Sequence, residues 1–463
     1  MSGQSQGGFT PTGTIATAAD RRRVVFATVV GTTVEWYDFF IYATAVGLVF
    51  GQLFFEPLGA DSALIAFATV GVSFLFRPLG AFLAGHFGDK LGRKTVLMWT
   101  LILMGAATAL IGLLPTYETI GVLAPILLVL LRIIQGISAG GEWGGAVLMA
   151  VEHAPRKKRG IFGASPQIGV PLGLLLASGV MALMTAIAPG EQFAIWGWRV
   201  PFLLSSVLVV VGLWVRLKLM ESPAFQKVLD EQRVASVPIA RVFRTAWKPL
   251  VLATLAMVAT YVLFYLMTAF LMVVGTTAAD EASARAAAET AGKDFNAATF
   301  VPGLGYERTD FLTMLIIGVV FFGIFTVVSG PLADRLGRKR LLLAVTAGIG
   351  VFGLVLDPLM HAGTAGVMAA LILGFTLMGM TFGPMAAFLP EMFKADVRYT
   401  GSAVSYNMAS VIGAAPAPYA MIWLWQQQGG SLLLVGSYLA VAAVVTLGAL
   451  VIGGETKDVD YLA

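Results

Sequence analysis

The stretch GHFGDKLGRK at residues 85–94 recurs as GPLADRLGRK at residues 330–339. Each copy follows one long apolar run and precedes another, and Lys90 and Arg335 conserve a positive charge between copies. The identical pairs are Gly85/Gly330, Asp89/Asp334, Leu91/Leu336, Gly92/Gly337, Arg93/Arg338 and Lys94/Lys339. A charged, glycine-broken loop at one place in each half indicates a duplicated unit with both loops on one side of a membrane.

The composition indicates a membrane protein. Of the 463 residues, 58% are apolar and 12% are charged, and the mean hydropathy is +0.84. Soluble domains have roughly 45–50% apolar and about 25% charged residues. A soluble fold of this length would leave much of that apolar surface in contact with water.

The apolar runs are long enough to cross a bilayer as helices, which needs about 18 residues or more. They predict an all-α integral membrane protein with twelve transmembrane helices in two pseudo-symmetric six-helix bundles. The runs cover residues 25–55, 62–87, 95–114, 119–151, 161–187, 200–219, 247–275, 311–333, 340–357, 363–390, 400–425 and 431–453.

The positive charges are distributed unevenly between the predicted connections. With twelve spans, most of the 30 Lys and Arg residues fall on the side that holds both decapeptides and both termini. The positive-inside rule places that side in the cytoplasm. Topology therefore accounts for the net charge of +4, and no nucleic-acid partner is expected.

The connections divide the chain into five parts. Residues 1–20 are rich in Gly, Ser and Thr and lack a signal-peptide pattern, which predicts a disordered cytoplasmic tail. We expect bundles at 21–219 and 247–455, a cytoplasmic linker at 220–246 and a cytoplasmic tail at 456–463. The outer loop 276–308 contains an Ala-rich stretch that favours a surface helix; a solvated lid is the first interpretation, and substrate gating is the alternative.

Five charged residues lie well inside the predicted spans, all in the first half: Glu35, Asp38, Arg77, Arg132 and Glu142. Charge inside a span is costly and marks a functional or paired site. Glu35 and Asp38 share a helix face with Tyr42, and two desolvated carboxylates one turn apart oppose each other's ionisation, which suits reversible proton uptake. The alternative is that Asp38 pairs with an arginine and stabilises helix packing.

The fourth run contains LLRIIQGISAGGEWGGA at residues 130–146. Arg132 stays protonated, so it can bind an anion or influence a nearby carboxylate; a static salt bridge is the alternative. Glycines at four-residue intervals favour close helix packing. Arg77 precedes Pro78 near the middle of the second run, where it could also meet an anionic substrate.

The second half offers aromatic and polar side chains that could shape a solute site, although each taken singly is more often a packing residue. They include Tyr261, Tyr265, Tyr406 and Asn407. Enzyme signatures are missing: the chain has no cysteine, three scattered histidines and no phosphate-binding loop. We therefore expect no metal site, no cofactor and no enzymatic activity.

The decapeptides resemble the cytoplasmic loops of the major facilitator superfamily. Several stretches are similar more narrowly to its metabolite:proton symporters, which include shikimate, 2-oxoglutarate, citrate and proline/betaine carriers. The likeness covers residues 22–455 and rests on EWYDFFIY (35–42), FLFRPLGAFLAGHFGDKLGRK (74–94), RIIQGISAGGEWGGA (132–146), WGWRVPF (196–202) and VRYTGSAVSYNMAS (397–410).

This resemblance implies a monomeric symporter of the inner membrane that imports a small carboxylated metabolite with protons by alternating access. The expected partners are the substrate, protons and the lipid bilayer. An osmolyte symporter, a proton-antiport exporter and a non-transporting nutrient sensor remain alternatives. The proton-coupling residues are then Glu35, Asp38, Arg132 and Glu142, and the substrate residues are Arg77, Arg132, Gln135, Tyr42, Tyr261, Tyr265, Tyr406 and Asn407.

The duplicated loops are then expected to hold the halves together on the closed cytoplasmic side. A second repeated pair supports the duplication, because Glu152 and Arg159 leave the fourth run as Glu391 and Arg398 leave the tenth. The predicted cytoplasmic gate comprises Gly85, Asp89, Arg93, Gly330, Asp334, Arg338, Glu152, Arg159, Glu391 and Arg398.

Overall fold

The structure, a computed structural model, describes residues 18–55, 62–218, 238–290, 297, 300–457 and 459. Its described part contains twelve helices long and apolar enough to cross a membrane, which confirms the predicted number. We number them spans 1 to 12 in chain order. Their bounds are Ala19–Phe55, Ala68–Gly88, Arg93–Leu113, Leu123–Glu152, Arg159–Ile187, Phe193–Leu217, Trp247–Thr276, Thr309–Leu336, Arg338–Met360, Gly363–Glu391, Arg398–Gln427 and Leu433–Ile452.

The spans form two six-helix bundles. Spans 1–6 pack on one another, and spans 7–12 do the same. The bundles meet where spans 2 and 4 contact span 11 and where span 5 contacts spans 8 and 10. Because both decapeptides follow an even-numbered span, they lie on one side of the membrane, which we call the decapeptide side.

Glycines of span 4 bring neighbouring helices into backbone contact. A Cβ at Gly136 would meet the backbone of Ser73, and a Cβ at Gly140 would meet the backbone of Arg77 and Ala81. Further along the same helix, Gly144 faces Tyr399 of span 11. Span 4 therefore packs closely on span 2 within its bundle and on span 11 across the interface, as the glycine spacing predicts.

Spans 1, 5, 6, 7 and 11 each contain a break or a π-helical turn. Span 5 consists of helices Arg159–Gln167 and Gly169–Ile187, and π-helical turns occur at Leu266–Phe270 in span 7 and Ser410–Ala414 in span 11. Such turns locally rearrange the backbone hydrogen bonds and are frequent at functional sites. Spans 7 and 11 also contribute the tyrosines of the predicted substrate site.

The helices outside the spans differ in part from the expected boundaries. The first helix begins at Ala18, inside the predicted tail, and helix Pro238–Thr245 lies inside the predicted linker, whose residues 220–237 are outside the described residues. The outer loop contains the predicted surface helix, at Glu281–Thr290. The backbone N–H and hydroxyl of Ser283 donate to Asp280 at 2.8 and 2.9 Å, which lowers the pKa of the Asp280 carboxyl and caps this helix.

The close approach of spans 2 and 4 can be tested by adding a side chain at Gly140. We expect Gly140→Leu to lower the midpoint of thermal unfolding of the purified protein, because overpacking costs about 1–3 kcal/mol or more. Gly179→Leu is the matched control, since nothing lies within 4 Å of a Cβ at Gly179. Equal unfolding midpoints for the two variants would contradict the packing described here.

Candidate functional site

Asp38 is connected to Arg132 through two hydrogen-bonding side chains. The Thr108 hydroxyl donates to Asp38 at 2.8 Å, the Gln135 amide donates to Thr108 at 2.7 Å, and Arg132 donates to Gln135 at 2.8 Å. The second carboxylate oxygen of Asp38 accepts from Ser205 at 2.5 Å. These side chains are buried and come from spans 1, 3, 4 and 6, so one polar path joins most of the first bundle.

Thr108 can change its hydrogen-bond acceptor. Its hydroxyl has one hydrogen but lies within bonding distance of two acceptors, Asp38 Oδ2 at 2.8 Å and the Met104 carbonyl at 2.9 Å. A protonated Asp38 can donate to Thr108, which then turns its own hydrogen to Met104. The protonation state of Asp38 can thus reorient the bond that Gln135 donates.

Arg132 is held locally by an aromatic ring and by backbone carbonyls. Its guanidinium carbon lies 3.8 Å from the centroid of the Tyr42 ring, and it donates to the carbonyls of Thr69 and Val70 at 3.4 Å each. The Tyr42 hydroxyl is 2.5 Å from Thr69 Oγ1. The structure therefore brings Asp38, Tyr42, Arg132 and Gln135 of the predicted site into one cluster, which we call the Asp38–Arg132 network.

Glu35 and Arg77 are two further buried charges that lie outside the Asp38–Arg132 network. Both side chains are buried, at 3% exposure each. Glu35 Oε2 and Arg77 Nε are buried without a hydrogen-bond partner. Within the described part of the chain, Arg77 has no ion-pair partner either. An unpaired arginine in a membrane interior is costly, so this position suits an anion.

Aromatic rings surround Arg77. Its guanidinium carbon lies 4.5 Å from the centroid of Phe74, 5.8 Å from that of Trp36 and 5.9 Å from that of Phe39. Rings of span 7 face them from the other bundle: Trp36 is 5.6 Å from Phe264, and Phe74 is 5.9 Å from Tyr265. The two bundles therefore meet at the level of Arg77.

The predicted tyrosines of the second bundle belong to this group. Tyr265 joins the group through the Phe74 ring, and the rings of Tyr261 and Tyr406 in the same bundle are 5.4 Å apart. Tyr406 stacks on Trp143 of span 4 at 3.8 Å. We call Glu35, Arg77, Tyr261, Tyr265 and Tyr406 the Arg77 cluster.

Asn407 lies apart from the Arg77 cluster. Its amide donates to the Gly140 carbonyl at 2.9 Å and to the Ala403 carbonyl at 2.8 Å. This bond joins span 11 to the glycine surface of span 4. The structure thus places Asn407 in the contact between the bundles, where both amide hydrogens are used.

Arg216 is a buried charge that the sequence did not reveal as part of a span interior. It lies near the end of the predicted run 200–219 but is not among the five charges predicted to lie well inside the spans, whereas its side chain is buried and forms a bidentate ion pair with Glu142. Thr100 also donates to Glu142, at 2.8 Å. Gly31 was the available signal, because its missing side chain leaves the space that the Arg216 guanidinium occupies.

The first part of the predicted gate is a buried charge cluster shared by the bundles. Glu152 lies 3.6 Å from Arg93 of its own bundle and 3.7 Å from Arg398 of the other. At Gly85, a Cβ would lie 2.6 Å from the Thr400 Cα atom. The end of span 2 therefore packs directly on span 11. Asp89 lies in helix Ser62–Leu91, and its side chain is outside the described residues.

The second part is a related cluster built on the other decapeptide. Arg338 donates to both oxygens of Glu391 at 3.2 Å and lies 3.1 Å from Asp334. Asp334 accepts from the backbone N–H groups of Gly160 and Ile161 at 2.8 and 3.3 Å, at the N-terminus of helix Arg159–Gln167. A carboxylate is favoured there by the helix dipole.

Gly330 and Arg159 complete this contact. A Cβ at Gly330 would lie 2.6 Å from the Ile161 Cα atom. Arg159 donates to the Val459 carbonyl at 2.6 Å. All the predicted gate residues whose side chains are described therefore lie where the bundles meet on the decapeptide side. No group of His, Cys, Asp and Glu suited to a metal occurs among the described residues.

Comparison with known proteins gives one consistent result. The sequence model of the Major Facilitator Superfamily matches residues 28–418. The chain is 44% identical to the inner membrane metabolite transport protein YhjE of Escherichia coli, over 94% of this chain and 95% of that protein. It is 36% identical to the shikimate transporter of the same organism, over 92% of each. The solved structure of the proton:xylose symporter XylE, bound to 6-bromo-6-deoxy-D-glucose, superposes with a TM-score of 0.70 at 17% identity, covering 96% of this chain and 98% of that one.

The Glu142–Arg216 pair can be broken without changing either residue. A Cβ at Gly31 would collide with the Arg216 guanidinium, so we expect Gly31→Ala to separate the pair. Breaking a buried ion pair costs about 3–5 kcal/mol, which a thermal or denaturant unfolding experiment on the purified protein would detect.

Gly71→Ala is the matched control, because nothing lies within 4 Å of a Cβ there; it should be neutral or stabilising. In a Glu142→Ala, Arg216→Ala background, Gly31→Ala should cost little. A Gly31→Ala variant as stable as Gly71→Ala would contradict this account of the pair.

Proposed function

Because the chain belongs to the Major Facilitator Superfamily, we propose that it is a proton-coupled symporter that imports a small carboxylated metabolite by alternating access. Family membership makes it a multi-pass membrane transport protein for a small molecule, working as a single chain, and not an enzyme. What we propose beyond family membership is the coupling ion, the class of substrate and the direction of transport. The Asp38–Arg132 network is the observation that carries it.

The network supports proton coupling because it joins a buried carboxylate to a buried guanidinium without direct contact. Uptake of a proton by Asp38 removes a negative charge from the path. The protonated carboxyl group can then donate a hydrogen bond to Thr108, which donates to the carboxylate in the unprotonated state. Gln135 must then respond, since it donates to Thr108 and accepts from Arg132. Arg132 remains protonated and so transmits the change as a movement of its guanidinium group.

The Arg77 cluster supports binding of a carboxylate. Arg77 is buried, has unsatisfied hydrogen-bonding capacity and lies among rings of spans 1 and 2 that contact span 7. A substrate carboxylate would neutralise it and complete its hydrogen bonds. Glu35 lies close enough to interact with the same charge, so a proton on Glu35 would strengthen the hold of Arg77 on an anionic substrate.

We assign Glu142 a coupling role that acts through Arg216. The pair lies in the same bundle as Glu35, and the charges of both Glu142 and Arg216 act on the Glu35 carboxylate. Movement of Arg216 would therefore change how readily Glu35 holds a proton. Asn407, Tyr42 and Gln135 are proposed to serve the substrate indirectly, by positioning Gly140 and Arg132.

The decapeptide side is proposed to be the cytoplasmic side of an inner membrane. The excess of Lys and Arg in its connections supports this orientation, and YhjE is described as an inner membrane protein. The clusters around Glu152 and Asp334 then form a closed cytoplasmic gate. Opening it requires the Glu152–Arg398 pair and the Asp334 bonds to separate, which alternating access between two bundles provides.

A zwitterionic osmolyte is a second candidate substrate. The specific observation in its favour is the group of rings around Arg77, namely Trp36, Phe39 and Phe74. Aromatic faces attract quaternary ammonium groups, while Arg77 would take the carboxylate. A metabolite without a cationic group would use the same rings only for apolar contact.

Proton coupling can be tested by removing the Asp38 charge. In vesicles with a gradient of one pH unit, one proton per substrate supplies about 1.4 kcal/mol, or about tenfold accumulation. Uptake will be measured for labelled shikimate and for a panel of organic acids and betaines. We expect one of them to accumulate inside the vesicles while the external medium becomes more alkaline. Asp38→Asn should lower the accumulation ratio to about one while exchange of labelled for unlabelled substrate continues.

The matched control is Asp310→Asn. Asp310 is exposed and lies at the end of span 8 away from the decapeptide side, so this variant should transport normally. Full accumulation by both Asp38→Asn and Glu35→Gln would rule out proton coupling through these carboxylates. Binding of a substrate without any flux in the wild-type protein would instead indicate a sensor.

Arg77 can be tested with the same substrate and its amide. Loss of a buried charge pair costs about 2–5 kcal/mol, so Arg77→Gln should raise KM for the acid by about thirtyfold or more. The wild-type protein should prefer the acid to the uncharged amide, and the variant should not. Retention of that preference in a folded Arg77→Gln variant would place the carboxylate elsewhere, whereas partial rescue by Arg77→Lys would support a charge interaction.

A further inference from the structure

A basic groove lies on the decapeptide side, between the beginning of span 1 and the connection from span 4 to span 5. Its volume is about 470 Å³, within the usual range of ligand pockets. Its walls include Arg21, Arg22, Phe26 and Val29 from span 1, and Lys158 and Phe162 from the other side. These residues belong to neither the Asp38–Arg132 network nor the Arg77 cluster.

The charges in the groove are positive and uncompensated. Among the described residues that line it, none is acidic. Asp20, the acid nearest in sequence to Arg21, lies 3.8 Å from Arg23 instead. Arg21 Nε is buried without a hydrogen-bond partner, so the groove holds a donor that a bound anion would satisfy.

The remaining wall is apolar and faces lipid. Phe26 is 58% exposed, although it lies on a membrane span, and Val29 continues the apolar surface one turn further into the membrane. The guanidinium and ammonium groups lie at the end of the span, where lipid headgroups are found. This arrangement matches an anionic lipid, because the positive charges can bind the headgroup while the apolar surface contacts an acyl chain.

We propose that this groove binds an anionic phospholipid, with its phosphate on Arg21, Arg22 and Lys158 and an acyl chain along Phe26, Val29 and Phe162. The N-terminal segment of the chain is a poor alternative occupant, because residues 1–17 contain no Asp or Glu. A soluble anion would leave the apolar wall unused. The site is independent of the substrate and of proton coupling.

The site can be tested by counting bound lipids on the purified full chain with native mass spectrometry. We expect dioleoylphosphatidylglycerol to bind in preference to dioleoylphosphatidylcholine, with saturation at a small number. Arg22→Gln combined with Lys158→Gln should weaken phosphatidylglycerol binding about ten- to thirtyfold, given the usual contribution of basic residues near a membrane. Phe26→Gln should weaken it severalfold with all charges retained.

The matched control is Arg340→Gln combined with Lys394→Gln, which removes two exposed positive charges from the same side of the membrane. Equal loss in this control would mean that lipid follows overall charge, and the proposal would fail. It would also fail if inorganic phosphate displaced the lipid while Phe26→Gln bound it normally, because the site would then hold a soluble anion. Thermal unfolding of all variants checks that they remain folded.

Discussion

A charge placed among membrane helices is stable only when other protein groups replace the water it has lost, and this requirement organises the molecule. Asp38 receives hydrogen bonds from Ser205 and Thr108, and Glu142 is held by Arg216 and Thr100. In both cases one partner lies on span 3 and the other on span 6, whereas Asp38 is on span 1 and Glu142 is on span 4. The same interactions that stabilise the charges therefore fix how the helices of the first bundle are arranged.

Arg77 departs from this rule, because within the described part of the chain it has no ion-pair partner and its Nε atom has no hydrogen-bond partner. Its neighbours are aromatic rings, which offer a guanidinium only a weak interaction. A site whose charge is completed by the protein itself cannot bind an anion strongly. The contrast between the paired Arg216 and the unpaired Arg77 thus separates an arginine that is neutralised within the protein from one that can bind an anion.

The interface between the bundles has two kinds of contact. On the decapeptide side, charged groups and backbone N–H groups meet, as at Glu152–Arg398 and at Asp334 with Gly160. Nearer the middle, rings such as Trp143 and Tyr406 stack on each other. Ion pairs and hydrogen bonds have discrete geometries and can be exchanged as units, whereas stacked rings can slide. This division fits two rigid bundles that change their relative tilt.

The sequence alone determined the twelve spans, the duplication, the glycine surface of span 4 and the buried charges near the middle of spans, because each follows from length, spacing or hydropathy along one helix. Only the tertiary structure decided which charges meet. Arg216 was not among the predicted interior charges, and only the structure shows that Gly31 of span 1 leaves room for its guanidinium group. Thr108 and Ser205 looked like ordinary residues of apolar helices. Partners separated by a hundred residues leave no periodic signal, since a side chain's partner depends on how the helices are rotated and tilted in three dimensions.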